Sequence, residues 1–523
     1  MTLKQDRVTG VVLKHPFFIT ALLVLVTLIA TGMQISSNIA VCVIMVCGYL
    51  LIAGYGFYLK QTKKLSDEAL IALVFAAGFV LKLGYTLYSG INIRQNDVDV
   101  FEEGKYNFYH SGYILFVRDR FTIPDADVRK LGQFYHPPFH YFVSAVFIKI
   151  YELFLPKGTH NYEALQALSL LWSQFAVIML YKCIKLFGIK KESCLPAAAV
   201  VSAFPTFTLL SGSINNDVLS VLLFFTGFYF GIRWFKEGTW KNIIFSALAI
   251  GFGMMTKLST GLIAFPLGFL FVVKLIKDLR DKSGEKKGAK TFLNLLAFGA
   301  ISAPLGLWFQ IRNYLKFGVP LGYVLKSTNS YQDISRFTPV QRLFGFYGFP
   351  IEDYYINLGS DGEQDYNIFI TLVKTCLFGE ENYRDDFAMS MAGYALLIVL
   401  LIMILTAVAG FVRTLVTVRK SETLWEELSL IILTAVEIIS VISFSLKYPH
   451  ICSMNFRYCT PLIISGVVYF SRIGEIKLKG ANKDLITKII KVISIAFFVL
   501  AVLFYTILWT YVKGEVVVVD NAW

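Results

Sequence analysis

The chain has 523 residues, of which 56% are hydrophobic and 16% are charged. This composition excludes an ordinary soluble globular protein, since apolar runs of about 18 to 25 residues recur along the chain and each is long enough to cross a ~30 Å hydrocarbon core. The net charge of +13 would suggest a nucleic-acid partner in a soluble protein. In a membrane protein basic cytoplasmic loops explain it, so no nucleic-acid partner is expected.

The hydrophobic pattern predicts an all-α polytopic membrane protein with about 13 transmembrane helices. The first apolar run is followed at once by others and has no small-residue cleavage site, so we interpret it as a retained span and not as a signal peptide. The predicted spans are 16–35, 39–59, 68–88, 163–182, 193–211, 216–235, 241–257, 259–276, 291–311, 391–413, 425–446, 456–473 and 486–512.

Two long polar stretches interrupt the spans: loop A, residues 89–162, and loop B, residues 312–390. Basic residues cluster in the N-terminal tail and in most of the short connections, for example in the run 274–290. The positive-inside rule places these clusters in the cytoplasm. The N-terminus is then cytoplasmic, and both long loops lie on the extracytoplasmic side.

This topology depends on the apolar stretch 138–155 in loop A, which could also be a span. The stretch is short, contains His140, Ser144, Lys149 and Glu152, and begins after two prolines. A helix lying in the outer membrane interface fits these features better than a span. If the stretch crossed the membrane, basic loops such as 274–290 would lie outside, which the positive-inside rule disfavours.

Under this topology several polar side chains at the ends of spans converge on the outer face. Carboxylates and cations beside lipid are costly, and they usually have a function there. The candidates are Asp97 and Asp99 at the start of loop A, His136 before the interfacial helix, Asn216 and Asp217 at the start of the sixth span, Lys257 after the seventh, Arg312 at the end of the ninth, and Arg457 with Tyr458 at the start of the twelfth.

A displacement at a sugar carbon with a phosphate leaving group requires one carboxylate base and several cations. A single carboxylate can take the proton of an attacking hydroxyl group. Lysine and arginine can hold the negative charge that develops on the departing phosphate. The residues therefore suggest Asp97 or Asp99 as the base, and Lys257, Arg312 and Arg457 as phosphate ligands.

Each residue also has a structural interpretation. Asn216 and Asp217 could cap the N-terminus of the sixth span. Lys257 could extend to the membrane interface, and the two arginines could be ordinary interfacial anchors. No phosphate-binding loop, dinucleotide fingerprint or H-E-x-x-H motif occurs, so no cofactor is expected. A divalent cation held by Asp97, Asp99 and Asp217 is left open, and no other metal ligands are predicted.

Six segments, in this order, resemble those of the C-type integral-membrane glycosyltransferases (GT-C), the group with the protein O-mannosyltransferases and the lipid A aminoarabinose transferase. They are QNDVD (95–99), QFYHPPFHYFVSA (133–145), SINNDVLSVLLFF (213–225), GFGMMTKLSTGLIAFP (251–266), WFQIRNYLKFGVPLGY (308–323) and NFRYCTPLI (455–463).

The resemblance implies an inverting transfer of a sugar from a polyprenyl-phosphate donor to an extracytoplasmic acceptor, which is a protein, a lipid or a cell-envelope glycan. The aspartate in the family's Gln-x-Asp context matches Asp97, which makes Asp97 the expected base. The remaining candidates, Asp99, His136, Asn216, Asp217, Lys257, Arg312, Arg457 and Tyr458, are expected to bind substrate.

The expected organisation has three parts: two extra N-terminal helices (1–67), a GT-C-like catalytic module (68–473) and a C-terminal helix with a short outer tail (474–523). The expected location is the plasma membrane, with the active site on the extracytoplasmic face and membrane lipid as a partner. A transporter (flippase) for the same polyprenyl-linked lipid and a non-catalytic assembly subunit are the alternatives.

Overall fold

The computed structural model describes residues 38–91, 100–106, 109–281, 286–326, 330–346, 354–356, 365–380, 387–477 and 484–511. The regular structure within these ranges is helical, which confirms the predicted all-α fold class. The α-helices are α1 (Asn38–Gln61), α2 (Asp67–Tyr88), α3 (His110–Arg120), α4 (Phe139–Glu152), α5 (Gln166–Leu186), α6 (Lys191–Ser202), α7 (Pro205–Gly212), α8 (Asp217–Glu237), α9 (Trp240–Met254), α10 (Ala264–Arg280), α11 (Lys287–Phe317), α12 (Pro339–Phe344), α13 (Ile368–Phe378), α14 (Phe387–Thr417), α15 (Leu424–Lys447), α16 (Leu462–Gly474) and α17 (Leu485–Tyr511).

The described residues contain 10 helices long and apolar enough to cross a membrane, or 11 if one bent pair counts as a span. The chain is therefore a multi-pass membrane protein, but the predicted count of 13 is not confirmed. The predicted span 16–35 lies outside the described residues. The span predicted at 241–257 corresponds to α9, whose 15 residues are fewer than a full crossing needs. The span predicted at 456–473 is bent by 61° between Ile451–Cys459 and Leu462–Gly474.

The helices end where the local sequence favours it. Ser66 caps α2 by accepting a hydrogen bond from the Ala69 N–H (3.2 Å), and Asp67 and Glu68 place negative charge in the first turn. At their C-termini α8 and α11 stop at Gly238 and Gly318, which have φ of +65° and +63°. Glycine takes this left-handed conformation without the steric cost that a side chain brings.

The most buried span runs from Lys191 to Gly212 and is interrupted between α6 and α7, where Pro205 starts the second part. The buried Lys82 of α2 donates hydrogen bonds to the carbonyl oxygens of Ser202 (2.8 Å) and Gly78 (3.0 Å). A Cβ atom at Gly78 would lie 2.3 Å from the Ser202 oxygen, so only glycine allows this close approach. Lys82 therefore hydrogen-bonds to the buried carbonyl group at the end of α6, where the helix is interrupted.

Part of loop A is helical. It contains α3, α4 and two short 3-10 helices, Val128–Lys130 and Gly132–Tyr135. The Tyr113 ring stacks between those of Phe134 (4.1 Å between centroids) and Tyr141 (3.8 Å). The stretch predicted to form an interfacial helix corresponds to α4, which has 14 residues and is not among the helices that could span the bilayer. Its position in a membrane stays a prediction.

Candidate active site

The N-terminus of α8 carries the first residues of the candidate site, and the chain arrives there through Asn215 and Asn216. The Asp217 N–H donates to the Asn215 side chain (3.0 Å), which removes one unsatisfied amide of the helix end. Asn216 does not cap the helix with its side chain. Its amide donates instead to the Thr256 carbonyl oxygen (3.0 Å) and so ties α8 to the turn that precedes Lys257.

The Asp217 carboxylate, which is 4% exposed, points to cations from two other parts of the chain. One oxygen, Oδ1, accepts a hydrogen bond from the Lys257 ammonium. The other, Oδ2, lies 3.6 Å from Nε of Arg457. The Asp217 carboxylate thus contacts both cations. This arrangement argues against two of the structural interpretations, namely that Lys257 extends freely to the interface and that Arg457 is only an interfacial anchor.

Lys257 is placed by the turn after α9. Its backbone N–H donates to the Gly253 carbonyl oxygen (2.8 Å), and a Cβ atom at Gly253 would lie 2.5 Å from the Thr260 methyl carbon. The small residue therefore allows the turn to pack closely. The Lys257 ammonium lies 4.7 Å from the centroid of the Tyr458 ring, a cation–π contact that orients the side chain further.

Arg457 belongs to the short 3-10 helix Phe456–Cys459, which Asn455 caps by accepting from the Arg457 N–H (3.0 Å). The guanidinium of Arg457 donates to the Tyr458 hydroxyl (3.3 Å) and lies 3.9 Å from a Glu380 oxygen. Its distances to the carboxylates of Asp217 and Glu380 are longer than those of a charge-assisted hydrogen bond. These contacts hold Arg457 beside Asp217 and Tyr458.

Asp217, Lys257, Arg457 and Tyr458 line one cavity. Its lining combines charged and polar residues, among them Asp217, Lys257, Arg457, Tyr458 and Glu437, with the apolar residues Val221, Phe224, Leu262 and Pro461. Cations and apolar side chains in one lining match a ligand that carries a phosphate next to a hydrocarbon chain.

Loop A reaches the same end of the helix bundle. The Phe139 N–H at the start of α4 donates to the Met255 carbonyl oxygen (3.0 Å), two residues before Lys257, and the Phe139 and Phe252 rings stack at 4.6 Å. His136, three residues earlier, stacks against His110 with 5.6 Å between ring centroids. The predicted site-lining segment around His136 is thus anchored beside the turn that carries Lys257.

His140, the second residue of α4, is unsuited to proton transfer. Neither of its ring nitrogens has a hydrogen-bond partner among the residues that the structure describes, and its side chain is buried. Burial, with a smaller contribution from the charge of His110, lowers the pKa of His140 to about 3. The imidazole is therefore neutral near pH 7.

Arg312 is not among the residues that line the cavity. Its guanidinium donates to the Pro124 carbonyl oxygen (2.9 Å), to Asp125 (3.0 Å) and to the Asn313 side chain (2.9 Å). Lys316, one turn later, also donates to Asp125 (2.8 Å). Arg312 therefore links α11 to loop A, a contact that the sequence could not reveal because Asp125 is nearly 190 residues away along the chain.

The predicted base Asp97 and its neighbour Asp99 lie outside the described residues. The described flanks of this segment are fixed: the Ile91 N–H donates to the Glu163 carboxylate (3.3 Å), and the Val100 carbonyl oxygen accepts from Ser111 (2.9 Å).

The sequence interpretation did not select Glu380 and Glu437 as site residues. Glu380 falls in loop B among many polar residues, so no signal distinguished it. Glu437 is the one charged residue between positions 428 and 446, and its isolation in an apolar helix was a usable signal. No group of three or more metal-binding side chains occurs in the part of the chain that the structure describes. The cation site considered for Asp97, Asp99 and Asp217 includes residues outside that part.

Three comparisons with known proteins bear on this site. Residues 135–308 match the model of the dolichyl-phosphate-mannose-protein mannosyltransferase family. Among solved structures, ArnT from Cupriavidus metallidurans in the apo state is 14% identical, and the alignment covers 83% of this chain and 77% of that one with a TM-score of 0.33. No curated protein is significantly similar in sequence. The match to the family model includes α8 and the Lys257 turn, and over these residues, about a third of the chain, it confirms the resemblance to integral-membrane GT-C glycosyltransferases.

Proposed function

We propose that the protein is an inverting glycosyltransferase that moves a sugar from a polyprenyl-phosphate donor to an extracytoplasmic acceptor. The observation that carries this proposal is the convergence of Lys257 and Arg457 on one buried carboxylate in a cavity that apolar residues also line. The name of the matching family refers to a polyprenyl-type phosphate sugar, dolichyl-phosphate-mannose.

In the proposed reaction an acceptor hydroxyl group attacks the anomeric carbon from the side opposite the phosphate. Asp97 takes the hydroxyl proton, the bond between the anomeric carbon and the phosphate oxygen breaks, and its electron pair stays on the phosphate. The configuration at the anomeric carbon is inverted because the displacement is direct. Asp99, His136 and Asn216 are proposed to line the sugar and acceptor side, Asn216 through its position between α8 and the Lys257 turn.

Lys257 and Arg457 are proposed to hold the departing phosphate. The donor phosphate is a diester with one negative charge, and the product is a monoester that approaches two. Cations fixed in advance stabilise the added charge without reorganisation during the reaction. Asp217 positions both cations, and Tyr458 supports them with its ring and hydroxyl group. Arg312 is proposed to hold loop A in place and not to contact the phosphate.

The proposed location is the plasma membrane, with a cytoplasmic N-terminus and the cavity open to the extracytoplasmic side. This sidedness rests on the positive-inside rule applied to the basic connections. The parts proposed for the chain are two N-terminal helices (1–67), the catalytic module (68–473) and a C-terminal helix (474–523). No cofactor is assigned to the reaction.

The test uses the purified protein in liposomes with a polyprenyl-phosphate sugar labelled in the sugar, together with a membrane extract as the source of acceptor. Formation of labelled glycoconjugate and of free polyprenyl phosphate supports the proposal. Movement of the intact labelled donor across the bilayer without bond cleavage would instead identify a flippase. Activity that requires a second subunit and survives Asp97→Asn would identify an assembly partner. Mass spectrometry of surface glycans from a deletion strain would name the sugar and the acceptor.

A further inference from the structure

One buried acidic group in the cavity has no role in the reaction described above. Glu437 is 1% exposed and lies on α15, ten residues before the end of the helix at Lys447. At 1.5 Å per residue this is about 15 Å along the helix axis, which places the carboxyl group well inside the apolar part of the bundle. It lines the same cavity as Lys257 and Arg457.

Glu437 differs from the other acidic groups of α15. Glu427 accepts two hydrogen bonds from Arg472, and Glu426 lies 3.5 Å from the Lys236 ammonium. Glu437 forms no hydrogen bond or ion pair with any described residue. A carboxylate without a counterion is strongly disfavoured in an apolar environment, so the neutral, proton-bearing form is favoured there.

A neutral carboxyl group can donate a hydrogen bond, whereas a carboxylate can only accept. The charged and titratable groups that share its surroundings are Asp217, Lys257, Arg457, Tyr458 and the thiol of Cys459. The two cations among them mark the expected position of a phosphate. The apolar residues of the same lining are expected to contact the polyprenyl chain. Glu437 thus shares one cavity with both cations.

We infer that Glu437 donates a hydrogen bond to a non-bridging oxygen of the donor phosphate and helps to stabilise the second negative charge formed on it. This inference rests on the proposed function. The proton stays on Glu437, while the electron pair from the broken glycosidic bond stays on the phosphate and the acceptor proton goes to the base. Glu437 therefore makes the cavity selective for the phosphate monoester product over the diester.

The test compares Glu437→Leu and Glu437→Gln with the wild-type protein in lipid nanodiscs. Affinities are measured for polyprenyl phosphate, which is a monoester, and for its methyl ester, a diester of the same chain length. A hydrogen bond to a charged group is typically worth about 10- to 100-fold in affinity, so Glu437→Leu should weaken monoester binding by this factor and diester binding much less. Glu437→Gln keeps a neutral donor of similar size and should bind both lipids like the wild type.

Thr434→Val is the matched control, since Thr434 lies one turn away on α15 and bonds to Ser465 outside the cavity. It should leave the ratio of the two affinities unchanged, and thermal midpoints of all variants exclude unfolding as the cause. An unchanged ratio in Glu437→Leu would overturn the inference. Tighter monoester binding by Glu437→Gln would also overturn it, because Glu437 would then carry a negative charge. If the wild type bound neither lipid, the proposed function would be wrong, and so would the inference that rests on it.

Discussion

Replacement of Lys257 by methionine removes one charge from the cavity and keeps a side chain of similar length. Lys257 is 16% exposed at its side chain, so its surroundings are closer to the protein interior than to bulk water. With an effective dielectric constant of about 20 and a separation of about 4 Å, one added phosphate charge interacts with the ammonium by about 4 kcal/mol. In water-like surroundings the same pair would contribute only about 1 kcal/mol.

The first value corresponds to a loss of about 10³-fold in kcat/KM, and loss of one such charge-stabilising group in other enzymes costs about 10²- to 10³-fold. We therefore expect Lys257→Met to lose at least 10²-fold. Lys257→Arg should recover part of the activity because it keeps the charge. The matched control is Lys316→Met, whose ammonium is 53% exposed and pairs with the exposed Asp125. This control should stay within about twofold of the wild type, as expected for a surface pair.

The assay measures release of labelled sugar from a polyprenyl-phosphate donor by detergent-purified protein, at donor concentrations below KM. Rates are normalised to folded protein, measured by the thermal unfolding signal, because Asp217 loses one of its two partners in this variant. If folded Lys257→Met retained more than about a tenth of the wild-type kcat/KM, the cavity could not be where phosphate charge is stabilised.

Three further predictions follow from the site and loop A. Asp97→Asn should abolish transfer and leave donor binding intact, and near-wild-type turnover in that variant would place the base elsewhere. Arg312→Gln should lower kcat/KM by less than about tenfold and should lower the thermal midpoint, because the contacts of Arg312 hold loop A. If this variant lost as much activity as Lys257→Met at an unchanged thermal midpoint, Arg312 would bind phosphate directly, as the sequence suggested. His140→Phe should reduce acid sensitivity. The pKa of His140 is lowered to about 3 in the folded protein. Below pH 6.5 the unfolded chain therefore binds one more proton than the folded protein does. The free energy of unfolding of the wild type should fall by about 2 kcal/mol at pH 5 for this reason. Thermal midpoints of both proteins between pH 7 and pH 5 check this, and equal losses would show that His140 is not buried as a neutral group.

Much of the fold could be predicted from hydrophobic runs, because a span leaves a continuous apolar segment of known length. The predicted number of spans was not confirmed, because one helix is shorter than its apolar run and one span is bent. The span predicted at 241–257 is a 15-residue helix, and the one predicted at 456–473 follows a bend of 61°. Composition does not show such bends, since they arise where short 3-10 helices break a span.

The sequence also brought Asp217, Lys257 and Arg457 into one hypothesis, because each is a charged residue at the end of an apolar span. The structure places Lys257 and Arg457 around the Asp217 carboxylate. Arg312 carried the same signal, but its contacts depend on Asp125 in loop A, whose fold no local pattern specified. The partners of Asn216 and Glu380 could not be predicted either, because they depend on contacts between loops distant in the chain.

The most direct test of a donor-phosphate site is a cryo-electron microscopy structure with a non-cleavable donor, a polyprenyl phosphonate that carries the sugar through carbon. We predict phosphonate oxygens within about 3.2 Å of the Lys257 ammonium and the Arg457 guanidinium, with the first isoprene units in contact with Phe224 and Leu262. A phosphonate bound beside Arg312 and Asp125, with the cavity around Asp217 left without ligand, would contradict it.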